Sequence, residues 1–114
     1  MPQLVALLAS IFIESVIAFA LVRVLGWGSL WRAALAAALG TLATHHVAWE
    51  AVRELEDALG YAAAVAICEG AVIVAESPFY RLLVPLPWPR AVLVSAIANC
   101  ASTATGLIYY GLTD

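Results

Sequence analysis

Lysine is absent from this chain, and charge of either sign is scarce. The five cations are all arginine: Arg23, Arg32, Arg53, Arg81 and Arg90. Without lysine there is no Schiff-base chemistry, so a retinal pigment and lysine-based covalent catalysis are excluded. Charged residues make up 11% of the 114 residues, whereas a soluble domain carries about 25%. The chain therefore cannot cover a water-facing surface. Its net charge of −3 also speaks against a basic nucleic-acid surface, and no nucleic-acid partner is expected. Only two cysteines occur, Cys68 and Cys100, both inside apolar runs. They read as small buried residues rather than as a disulfide framework. No catalytic nucleophile and no dense ligand motif such as H-E-x-x-H is present, so an enzyme, including a membrane metal enzyme, finds little support.

What the chain does have is apolar sequence, 65% of all residues, in runs of the length a bilayer demands. Backbone groups in hydrocarbon lack water partners, so a span must be a helix or a closed barrel. These runs are too long and too continuous for barrel strands. The reading is an all-α, polytopic membrane protein: four antiparallel transmembrane helices in a small bundle, forming a single transmembrane domain over 1–114. The spans fall at roughly 3–25, 31–52, 58–83 and 90–112. Gly26-Trp27-Gly28-Ser29 is a turn. Arg53-Glu54-Leu55-Glu56-Asp57 reads as a short polar connection. Pro85, Pro87 and Pro89 stop the third helix, since proline lacks the amide and clashes with the preceding turn. Trp27, Trp31 and Trp88 are interfacial anchors. The first run has no positive leader and Leu8-Ala9-Ser10 is a poor cleavage site, so it is expected to be retained as a span.

Arginines flank the first and third connections, while the second holds one arginine among Glu50, Glu54, Glu56 and Asp57. The positive-inside rule then places the first and third connections in the cytoplasm and both termini outside. The preference for arginine and alanine points to a bacterial inner membrane.

Polar residues interrupt the apolar runs. Glu14 lies in the first span, His45, His46 and Glu50 in the second, Glu69 and Glu76 in the third, Ser95, Asn99 and Ser102 in the fourth. Ionisable residues at bilayer depth cost at least a few kcal/mol and mark function or pairing. Counting about 1.5 Å per residue from the span ends puts Glu14, His45, His46, Glu69 and Asn99 at one midplane level. The same count puts Glu50 and Glu76 at two opposite mouths. Ser95, Asn99, Ser102 and Gly106 share one face of the fourth helix, a small and polar surface for helix packing. His45 and His46 are adjacent and point about 100° apart, so at most one joins a central site.

Three readings of the Glu14, Glu69 and histidine set stand side by side: an interhelical hydrogen-bond network of neutral carboxylic acids, a proton or cation site, and a bound transition metal. A divalent metal is thus the candidate cofactor. Two functions follow. One is proton- or cation-linked transport, by a homo-oligomer. The other is an accessory or assembly subunit of a larger membrane complex, with the polar residues as interhelical contacts.

The stretch from Glu69 to Ser102 reads E-x6-E-x3-Y-R (Glu69, Glu76, Tyr80, Arg81) followed by S-x3-N-x2-S (Ser95, Asn99, Ser102). It resembles a pattern in small bacterial four-helix membrane proteins with no assigned function. The resemblance covers about the C-terminal half and implies that these polar positions belong together. In length and in its first-span glutamate the chain is similar to small multidrug-resistance transporters. It departs from them in the His45-His46 pair and in lacking their third-span tryptophan-glycine signature, so no role is carried over.

Overall fold

Glycine and proline set the helix ends. In the computed structural model, which describes residues 2–113 and the side chains of residues 2–109, four helices follow one another: α1 (Gln3–Leu25), α2 (Leu30–Leu59), α3 (Tyr61–Leu83) and α4 (Trp88–Thr113). Gly26 closes α1 in the left-handed region, φ 64°, which only glycine enters without strain. The amides of Gly26 and Trp27 turn back to the carbonyls of Arg23 and Val22, the usual way of satisfying the last turn. At the other end of the bundle, Gly60 (φ 84°) is the whole connection between α2 and α3.

That junction corrects the reading of 53–57 as a polar connection. The structure continues α2 through Arg53–Asp57 to Leu59. Polarity ends an apolar run, but it does not end a helix. Glu, Arg, Leu and Ala are all good helix formers, and the first residue able to break the helix is Gly60. The remaining connection, Val84-Pro85-Leu86-Pro87, is held by Arg81. The Arg81 guanidinium donates to the Leu86 carbonyl at 3.2 Å and lies 5.0 Å over the Trp88 ring.

The helices pack around a ring: α1 on α2, α2 on α3, α3 on α4 and α4 back on α1. The body measures 41 × 25 × 19 Å, and its long axis is close to the roughly 40–45 Å of a bilayer with its headgroups. Its surface is the reverse of a water-soluble protein's. Leu4, Val5, Leu8, Phe12, Val16 and Phe19 form an exposed apolar face on α1, and Val47, Ile67, Val74, Leu82 and Ile108 extend it on the other helices. Meanwhile Glu14, Thr41, Glu76, Ser77, Ser95 and Asn99 are buried. Apolar outside and polar inside is what a lipid solvent selects. Helices α1, α3 and α4 over Trp88–Tyr109 are long and apolar enough to cross a membrane. Helix α2 is longer but less apolar, because alanine is only weakly hydrophobic and His45, His46 and Glu50 interrupt it. The structure is thus a four-helix, all-α bundle with three helices able to cross a membrane.

The bundle has two unlike halves. In the half bearing the 26–29 and 84–87 connections, Ala18, Val22, Ala33, Ala36, Ala37, Tyr80, Val84, Leu86, Ala91 and Val94 form one packed core. The small side chains let the helices approach closely. There the Arg90 guanidinium lies 4.8 Å over the Trp27 ring. The other half, toward Gly60, is hollow.

Candidate functional site: an acid-floored cavity

The hollow is a cavity of about 660 Å³ that reaches from the Gly60 end down to the middle of the bundle. Glu14, Thr41, Glu76, Asn99 and Ser102 form its floor, one or more from each helix. Below them the packed core closes the bundle.

Glu76 is the hub of this floor. It is 1% exposed, and its Oε1 accepts from Asn99 Nδ2 at 3.2 Å. Its Oε2 lies 2.7 Å from Thr44 Oγ1. Thr44 Oγ1 is also 3.0 Å from the Gly40 carbonyl, one helical turn back. A hydroxyl has one proton to give. The Thr44 hydroxyl either shares its proton between the Gly40 carbonyl and Glu76 Oε2, or donates to Gly40 and accepts from a protonated Glu76. Ser102 repeats the arrangement for Glu14, with its Oγ 3.2 Å from Glu14 Oε2 and 3.1 Å from the Asn99 carbonyl. The carboxyl groups of Glu14 and Glu76 lie next to each other across the bundle, with Thr41 beside Glu14. Asn99 is fixed in turn by its own helix: its Nδ2 donates to the Ser95 carbonyl at 2.8 Å. The Ser95 hydroxyl ties α4 to the Ile73 carbonyl of α3, also at 2.8 Å.

Gly40 makes this geometry possible. A Cβ on Gly40 would stand 3.2 Å from Glu76 Cγ and 3.4 Å from its Cβ. The Glu76 side chain therefore runs directly over the α2 backbone, and a larger residue at 40 would press it off that path by a few tenths of an ångström.

Several polar atoms around the cavity have no hydrogen-bond partner. Glu14 Oε1 and Thr41 Oγ1 are unpartnered at the floor, His45 Nε2 and Glu69 Oε1 on the wall. Buried polar groups are nearly always satisfied by protein or water, so these four take their partners from whatever fills the cavity, water or solute. His45 lines the wall with its ring 5.7 Å from that of Trp49. Ala9, Ile13, Ala48, Val65 and Val72 make the rest of the wall largely apolar, and Arg53, Glu56, Tyr61 and Tyr109 stand toward the opening.

The structure thus brings Glu14, Glu69, His45, Asn99, Ser102 and Gly106 to one cavity and leaves others apart. His46 is exposed and accepts from the Gln3 amide at 3.0 Å. Glu50 is half-buried and does not line the cavity. Ser95 serves helix packing below the floor. Glu76, expected at a mouth, sits instead on the floor, and Glu69 lies about 10 Å nearer the opening, seven residues up the helix. The depth count went astray because it took all helix ends at one level. Gln3, at the start of α1, lies beside His46, thirteen residues short of the end of α2 at Leu59, so α1 is set deeper than the α2–α3 junction and Glu76, not Glu69, comes level with Glu14. Gly40 and Thr41 escaped the sequence reading. A glycine with threonines one and four positions on, in an otherwise alanine-rich helix, was the available signal. Tyr80 is fully buried with its hydroxyl unpartnered, one turn below Glu76 on the same helix face.

Among the described residues no three His, Cys, Asp or Glu side chains are grouped to hold a metal ion. Comparison with protein-family models, with curated proteins and with solved structures finds no match.

Proposed function

We propose that this is a small integral membrane transport protein that moves a proton or cation through the Glu14–Glu76 site, with all four helices spanning the bilayer. The observation that carries this reading is the one-sided cavity: open at the Gly60 end, closed at the other by a packed core, with paired carboxyls at the boundary. A carboxyl pair held by hydroxyl and amide neighbours can exchange a proton for a cation without exposing a bare charge to hydrocarbon. Alternating access requires a site reachable from one face and sealed from the other. Arg23, Arg32, Arg81 and Arg90 lie toward the sealed end, and Glu54, Glu56 and Asp57 toward the open one. By the positive-inside rule the cavity opens to the outside of a bacterial inner membrane, on the side of both termini.

The test is flux in proteoliposomes with a pH-sensitive dye inside. Wild-type protein gives proton movement that Glu14→Gln and Glu76→Gln abolish. Unchanged flux in both variants would end the transport reading. It would favour an accessory subunit, in which the same groups only fasten helices, and such a subunit would purify in mild detergent with its partner rather than as a homo-oligomer.

A further inference from the structure

The cavity is far larger than any inorganic ion, and the carboxyl groups within it stand at two levels. Glu14 and Glu76 form the floor, and Glu69 stands about 10 Å above it by helical rise. Each level has a carboxyl oxygen without a partner: Glu14 Oε1, on a residue 2% exposed, and Glu69 Oε1. Ile13, Val65, Val72, Ala9 and Ala48 make most of the wall, with Ser10, His45 and Thr103 among them. An occupant that completes the two carboxyl oxygens donates hydrogen bonds at two points and rests on a largely apolar wall between them. An alkylammonium offers three donors and no acceptor, and a methylene chain suits the wall. At about 660 Å³ the space falls within the roughly 300–1,000 Å³ of pockets that take small organic ligands.

We propose that the cavity binds an aliphatic diamine or polyamine lying along the bundle axis, one ammonium at Glu14–Glu76 and the second at Glu69. The proposal rests on the transport reading and names its cargo. Each ammonium displaces the proton of the carboxyl it meets, so binding releases protons to the solution and breaks no other bond. At the opening Arg53 and Glu56 face the cavity with Glu54 and Asp57 beside them on α2, and the surplus of carboxylates over the one arginine draws such a dication inward. Gly106 gives the means to close the space: it lines the cavity, and a Cβ there has nothing within 4 Å. A side chain at 106 therefore starts into open space at the cavity wall. Gly70 is equally unobstructed but does not line the cavity, and serves as the control.

The experiment is calorimetric titration of detergent-purified protein with 1,8-diaminooctane and with octylamine, with proton release followed in weak buffer. The diamine is expected to bind about tenfold more tightly than the monoamine, the worth of one further charge-assisted contact, and to release protons. Glu69→Gln brings the diamine to the monoamine's affinity and leaves octylamine unchanged. Gly106→Trp abolishes binding of both, and Gly70→Leu binds as wild type. Equal affinity for the two amines, retention of binding in Gly106→Trp, or no diamine binding by wild-type protein would overturn the proposal. If the diamine fails while proton flux still depends on Glu14 and Glu76, the cargo is wrong and the transport reading stands. If the diamine binds but nothing crosses the bilayer, the site is right and transport is not its purpose.

Discussion

Replacing Gly40 by alanine tests the contact that holds Glu76 on the cavity floor. Two effects oppose each other. Alanine in a helix interior is favoured over glycine by about 0.5–1 kcal/mol. Against this, the new methyl would stand 3.2 Å from Glu76 Cγ and 3.5 Å from its Cδ. Glu76 has no free direction in which to withdraw, since Thr44 and Asn99 grip its two oxygens at 2.7 and 3.2 Å. Overpacking of this kind costs about 1–3 kcal/mol, so the single variant is expected to lose roughly 0–2 kcal/mol net. The net figure alone decides little, but its dependence on Glu76 does. In a Glu76→Ala background Cγ and Cδ are gone, the clash vanishes, and Gly40→Ala should become stabilising by up to about 1 kcal/mol. The double-mutant cycle, read from reversible unfolding in mixed detergent micelles, should therefore give a coupling of about 1–3 kcal/mol. A coupling near zero would mean that Glu76 does not cross the α2 backbone at Gly40, and the floor geometry described above would be wrong.

Other substitutions probe the rest of the assembly. Glu76→Gln keeps a neutral group of the same shape that can still donate to Thr44 and accept from Asn99, and should change unfolding stability little. Glu76→Leu removes the Asn99 partner in a buried site and should cost about 1–3 kcal/mol, so equal stability of the two variants would contradict the network. Arg81→Ala loses the stack on Trp88 and the bond to the Leu86 carbonyl, and should destabilise by about 1–2 kcal/mol; thermal melting in detergent reads this directly. With a membrane-permeant maleimide, Cys100, which is exposed, should react well before Cys68, which is 8% exposed, as mass spectrometry over a time course would report.

The four helices were legible because bilayer-length apolar runs admit few alternatives. Their ends were less so. The charged stretch 53–57 looks like a loop by polarity and is helix by propensity, and only Gly60 breaks it. Depth is harder still. Counting each helix from its own end assumes that all ends share one level, and on that count Glu69 takes the central level and Glu76 a mouth; α1 instead starts beside His46, well short of the α2–α3 junction. Helical spacing served better where no boundary entered: Ser95, Asn99 and Ser102 do lie along one side of α4, and His45 and His46 do diverge. What spacing could not supply is the diagonal. Glu14 on α1 meets Glu76 on α3, helices that are not neighbours around the ring, and nothing local to either sequence segment encodes that meeting. It follows from four helices packing on small residues until their centres are close enough for two side chains to bridge them.

The uninterrupted run of α2 past Val52 has a consequence for the entrance. Arg53, Glu54, Glu56 and Asp57 sit on a helix rather than on a flexible loop, so their bearings are fixed at about 100° steps around a stiff rod. Charges on a mobile loop average their directions away within nanoseconds. Charges on a rod do not. The rim of this protein therefore carries a standing electric field of constant orientation, with Arg53 and Glu56 both on the cavity side. An approaching solute is turned before it is held.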